Sequence, residues 1–269
     1  MRIARPVFLL ALAFLIGCAA RLPYQKVYLP EASLDAVLAA IRGREEGIQS
    51  LKALSLVEVQ RQGSRINLRE VIILDTPRSL RFETLGFGGL PILVMAMDGE
   101  RVFLDSITDR LFLVGRANSQ TLARLVGIDL EPEYMVRLLM GKPPLGLELP
   151  GSSLSLMNDL KRDSLFLIQD SPPLIQRLLI NQKSLGVERG EVYRDGVLLF
   201  RFSFQGLRDL KGTQFPYKIS IEKPGILGIH VEYKTVEIGS PLPQDLFRLN
   251  IPQGYRVIDL DQEPYKEES

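Results

Sequence analysis

Apolar residues recur every three or four positions at Leu34, Val37, Leu38 and Ile41, directly behind Ser33. That spacing predicts an amphipathic helix with Ser33 as its N-cap, ending between Gly43 and Gly47. From Leu51 the period falls to two. The stretch "LKALSLVEVQRQGSRINLREVIILDTP" alternates apolar and polar positions around Gly63-Ser64, which predicts a long hairpin. Four more strands follow in "SLRFETL", "ILVMAMDG", "ERVFLDS" and "DRLFLVGRA", and Asp98-Gly99 is the strongest turn signal among them. The first half reads as a helix followed by an antiparallel meander of about six strands.

Helical spacing returns at Ser119–Val126 and again from Glu131 to Met140, the second stopped by Gly141 and by Pro143-Pro144. Residues 142–160 are rich in Gly, Pro and Leu without a clear period and read as loop, with a helical turn near Leu156 to Leu160. Strand patterns then resume in "SLFLIQD", "RLLINQKSLGVERGEVYRDG", "VLLFRFSFQ", "PYKISIEKP", "GIHVEYKTVEIG" and a final "YRVIDL". Arg194-Asp195-Gly196 marks another tight turn. The tail from residue 259, ending "DQEPYKEES", reads as a solvated end.

The amino terminus has a different pattern. Arg2 and Arg5 precede an uninterrupted apolar run from Val7 to Ile16, and small residues follow at Gly17, Ala19 and Ala20. This is the order of an export signal, and the run is about half the roughly 20 apolar residues that a membrane-spanning helix needs. Leu15-Ile16-Gly17-Cys18 resembles a bacterial lipobox, which implies cleavage before Cys18 and its acylation. A thioether-linked diacylglycerol and an amide-linked acyl chain would supply the two or more chains that stable anchoring takes. Cys18 is the single cysteine, so no disulfide framework exists. Ala19 follows it where enterobacterial sorting reads Asp as retention at the inner membrane. By that analogy the protein belongs on the periplasmic face of the outer membrane. The expected division is a signal peptide (1–17), a lipidated tether (18–32), a folded domain (33–258) and an acidic tail (259–269).

Charge and composition exclude more than they assign. Net charge is +1 and becomes −1 when residues 1–17 leave with Arg2 and Arg5, so nothing points to nucleic acid. The one histidine, His230, alternates with Ile229 and Val231 and reads as an ordinary strand residue. No zinc-ligand set, Walker loop or nucleophile elbow is present. The carboxylates Glu45-Glu46 and Asp259 with Asp261 lie in stretches that read as solvated. The expectation is a non-enzymatic protein without catalytic residues, metal or dissociable cofactor.

Two features do suggest a task. In "TLGFGGLPILVM", Phe87, Leu90 and Pro91 stand among Gly86, Gly88 and Gly89 between two strands. Phe87 either folds back into the core or projects to enter membrane or an acyl ligand. The runs "VIIL", "ILVMAM", "VFL", "LFLV" and "VLLF" are apolar on both faces in places, so the sheet needs more cover than one with a single solvated face would. A curved sheet around a lipid-sized cavity closed by short helices meets that need, as does a β-sandwich with a dry core.

The lipobox, the helix and meander, "P-x-x-L-R-F-E" at Pro77 to Glu83, the glycine-flanked apolar loop, "DGERVFL" and "RLLMGKPP" together resemble the LolA/LolB-like lipoprotein carrier superfamily, and LolB-like outer-membrane lipoproteins in particular. The resemblance covers residues 33–144 and extends faintly to about 258. It implies a mainly β fold, an unclosed antiparallel half-barrel of about eleven strands with short helices over its concave face. It also implies an apolar cavity for acyl chains, client lipoproteins or other acyl lipids as cargo, a periplasmic LolA-like donor, and a membrane-inserting loop at Phe87, Leu90 and Pro91. Phe87 stands where the family has leucine, and the Pro-rich stretch after Met140 is a second departure. The alternative function is a scaffold or assembly lipoprotein of the envelope that holds no lipid.

Overall fold

A computed structural model describes residues 32–147, 149–159 and 164–262. Cys18, the signal peptide and all but the last residue of the tether lie outside the described residues. The chain opens with α1 (Leu34–Glu46), where Ser33 Oγ accepts from the Ala36 amide and supplies the cap. Six strands follow: β1 (Ser50–Arg61), β2 (Ser64–Asp75), β3 (Ser79–Leu85), β4 (Pro91–Asp98), β5 (Arg101–Ser106) and β6 (Leu111–Arg116). Then come α2 (Ser119–Val126), stopped by Gly127 in the left-handed region, and α3 (Pro132–Leu139). The second run of strands is β7 (Ser153–Asp159), β8 (Ser164–Ser171), β9 (Leu174–Asn181), β10 (Val187–Arg194), β11 (Val197–Leu210), β12 (Thr213–Lys223) and β13 (Leu227–Ile238), with β14 (Arg256–Asp259) last.

All fourteen strands belong to one open sheet in the order β14-β6-β5-β4-β3-β2-β1-β13-β12-β11-β10-β9-β8-β7. Two antiparallel meanders are thus joined where β1 meets β13, and β7 and β14 form the two edges. The three helices lie on one face, where Val37, Leu122 and Val136 join the same buried cluster as Leu51, Ile72 and Phe200. The expected half-barrel is therefore present, with three corrections. It has fourteen strands among the described residues rather than about eleven. Residues 153–159 form β7 instead of a loop with a helical turn, because Leu154 and Leu156 alternate inward and the segment pairs with β8. The sheet is also not antiparallel throughout, since β14 joins β6 in parallel after crossing from the far end of β13.

That crossing explains the strands that are apolar on both faces. Residues 239–255 pass over the outer face and carry a single helical turn, Gln244–Phe247, against β3 and β4. Phe247 is fully buried there, and Ile73, Val94 and Ala96 point to the same outer side and are buried too. Arg81 donates to the Leu246 carbonyl (3.0 Å), and Arg248 pairs with Asp98 (2.8 Å), fixing both ends of the cover. The expected tail boundary at 259 falls inside this edge: the Leu260 amide donates to Val114 O, and the Arg116 amide to Asp261.

The two halves of the concave face are filled differently. Over β8 and β9, the segment from Met140 to Leu147 lies buried, and Gln176 grips it by accepting from the Leu145 amide (3.1 Å) and donating to the Leu145 carbonyl. Gln169 donates to Gly146 O (2.8 Å) and accepts from Gln176, so these buried amides are paired. The Pro- and Gly-rich stretch is thus a plug. Over β1–β5 the described residues provide no such filling.

Candidate functional site: an apolar cavity with a glycine-rich lip

The unfilled half encloses a cavity of about 390 Å³, within the size range of ligand pockets. Its walls come from β1–β5, β12 and β13, and its cover from α2, α3 and the turn between them. Strand alternation decides the lining: Val57 and Val59, Leu68 and Ile72, Phe82, Leu93 and Met95 face inward because their neighbours face out. The cover contributes Leu125, Val126, Ile128, Leu130, Met135 and Leu139. Tyr233 O–H donates to Leu139 O (2.7 Å) and Arg137 pairs with Glu45 (2.6 Å), tying α3 to the sheet and to α1. Burial raises the Tyr233 phenol far above its ordinary pKa, so it remains a donor.

The cavity lining extends to Arg61, Ser64 and Ile66 at the tip of the β1–β2 hairpin and to Leu227 at the start of β13. Because the strands alternate in direction, the β3–β4 loop, the β5–β6 turn and the β12–β13 turn emerge at this same end. The apolar loop is here. Phe87 is 105% exposed and Leu90 71%, so Phe87 does not fold back into the core. Pro91 begins β4 and is half-buried. Gly88 and Gly89 adopt φ of 75° and 80°, conformations that branched residues resist, and they turn Phe87 outward. Ile66, Ile92, Ile107 and Ile226 are further exposed side chains at this end, and the Ile107 amide donates to Ile92 O, joining two of the tips.

One residue of the cavity wall was not anticipated. Glu70 sits on the cavity wall between Leu68 and Ile72, only 6% exposed. Thr84 Oγ1 donates to its Oε1 at 2.7 Å, while Oε2 is buried without a partner. Desolvation pushes the carboxyl up to about 7, the Thr84 hydrogen bond opposes this, and the Glu83 charge adds to it. The signal was visible: in "INLREVIIL" the inward series Ile66, Leu68, Glu70, Ile72 is interrupted by one carboxylate. His230 lies on the opposite face with its Nδ1 2.9 Å from Ser220 Oγ, outside the lining. Among the described residues there is no group of three or more metal-ligating side chains, and no helix is long and apolar enough to cross a membrane.

The chain shares its fold with solved structures that include a LolA superfamily protein. A LolA superfamily protein from Nitrosomonas europaea superposes with a TM-score of 0.54 at 11% identity, covering 81% of this chain and 98% of that one. A structure from Vibrio parahaemolyticus described as an outer membrane lipoprotein-sorting protein domain also gives 0.54, at 11% identity over 78% and 95% of the two chains. A DUF1329 family protein from Desulfovibrio piger gives 0.53, at 10% identity over 80% and 96%. No protein-family model matches the sequence, and no curated relative does either.

Proposed function

We propose that this protein is an acyl-chain carrier, anchored through acylated Cys18 to the periplasmic face of the outer membrane, that receives lipoproteins or other acyl lipids and releases them into the inner leaflet. The observation that carries this reading is the shared end of the molecule: the cavity lining and the exposed Phe87 loop reach it together. A chain leaving the cavity at that lip would pass from apolar wall to membrane without crossing water. Burying each CH₂ is worth about 0.8 kcal/mol, so a long acyl chain would gain on the order of 10 kcal/mol before ordering costs. Transfer along carriers of rising affinity then needs no nucleotide, and a periplasmic LolA-like donor would fit upstream. The reading assigns no catalytic step to the chain.

The test is native mass spectrometry with lipid extraction on protein carrying Cys18→Ser and lacking residues 1–17, so that neither acyl chains nor the apolar signal run of its own confuses the result. Stoichiometric acyl lipid supports carriage. A well-folded protein that holds no lipid and takes up no fluorescent acyl probe removes it and favours the scaffold. Phe87→Glu should keep acyl binding and stability within about 0.5 kcal/mol, since the side chain touches no core, and should lose transfer to vesicles.

A further inference from the structure

The cavity wall places a carboxyl oxygen, Glu70 Oε2, in apolar surroundings with no partner. The neighbouring groups do not compensate it. From β1, Ser55 spends its hydroxyl on the Glu70 backbone carbonyl (3.2 Å). From β3, Thr84 is committed to Oε1, and the adjacent Glu83 is held by Arg81 at 2.6 Å. The helical cover offers aliphatic and thioether side chains, and the lining's other charged residue is Arg61, at the hairpin tip. Thr84 stands two residues before Gly86, so the carboxyl lies near where the apolar loop begins.

The hydrogen-bond inventory then fixes what a ligand must bring. With the Thr84 hydroxyl donating to Oε1, a neutral Glu70 carries its proton on Oε2 as a donor, and among the described residues no acceptor reaches it. An esterified acyl chain brings one in its carbonyl oxygen, together with the hydrocarbon that fills the hollow. A fatty-acid anion brings a negative charge instead, which a buried carboxyl disfavours. We propose that Glu70 donates from Oε2 to the carbonyl of an ester-linked acyl chain, so that the cavity selects neutral acyl esters over fatty-acid anions. This rests on the carrier reading above.

A pyrene-labelled fatty acid and its methyl ester, titrated into the Cys18→Ser protein at pH 5.5 and 8.5, separate the two. Ester affinity should fall about five-fold between these pH values as the Oε2 proton is lost, a change in keeping with one hydrogen bond. In Glu70→Gln the carboxamide donates at both pH values, so ester affinity should stay at the acid-side level, and the free acid, which should bind more weakly than the ester at pH 8.5 in the unsubstituted protein, should recover affinity there because no carboxylate remains to repel it. An ester affinity that is flat with pH in the unsubstituted protein, or that falls equally in Glu70→Gln, overturns the inference while leaving carriage intact. Failure of both probes to bind any form would remove the carrier reading itself, and this inference with it.

Discussion

At Glu70 the folded chain holds a carboxyl whose proton leaves near pH 7, whereas the same group in an unfolded chain ionises near its ordinary value of 4.5. The sign of the consequence follows from proton counting. Below pH 4.5 both states are protonated and the burial costs nothing extra. Between 4.5 and 7 the folded state keeps a proton that the unfolded state has released, so stability falls as pH rises, and above 7 the loss levels off. The accumulated cost is on the order of 3 kcal/mol. Glu70→Gln should therefore gain stability relative to the unsubstituted protein between pH 4 and pH 8, by roughly that amount, in urea titrations at the two pH values. A gap that stays constant with pH would show that Glu70 ionises normally.

Among the elements, those formed by neighbours in sequence were legible and those formed by distant partners were not. The helices α1, α2 and α3 and the β1–β2 hairpin stand where periodicity, the cap at Ser33 and the stop at Gly141 put them. β7 escaped because Ser, Asn and Asp are weak strand formers and its order comes from pairing with β8. The outer cover at 239–255 escaped because it contains Pro241, Pro243 and Pro252 and has no period, although the doubly apolar strands beneath it announced that something must lie there. The plug at 140–147 was hidden for a similar reason, since its order comes from Gln169 and Gln176 on other elements. Those two glutamines on β8 and β9 are fully buried amid leucines, and their removal makes the sharpest test of the plug. Gln176→Leu would strand the amide and carbonyl of Leu145 without partners, at a cost of about 2–4 kcal/mol. Denaturant midpoints should fall accordingly, and protease should cut first between residues 142 and 152. Cleavage at the β1–β2 tip instead would show that the plug is held by its leucines alone.

On the scale of the whole molecule, the open sheet leaves two edges, and one of them is tied to the cavity cover. β14 shields β6 by parallel pairing, and the same segment reaches α2, where Arg124 Nη1 donates to Leu260 O at 2.8 Å. Leu260 also stands over Gly115, where an added Cβ would lie 2.9 Å from its own, so the contact is close enough to require glycine on β6. α2 supplies Leu125 and Val126 to the cavity, and its opposite flank has this C-terminal strap. A helix of eight residues is too short to be stable by itself. Its order must come from its apolar face and from this tether. A chain ending at Tyr255 removes the tether without touching a residue that lines the cavity. Hydrogen exchange should then rise in α2 and β6 while β8–β12 keep their protection, and a fluorescent acyl probe should enter several-fold faster. Unchanged exchange in α2 would assign its order to the apolar face, and the entry of cargo would then have to be governed by α3, through Tyr233 and the Arg137–Glu45 pair.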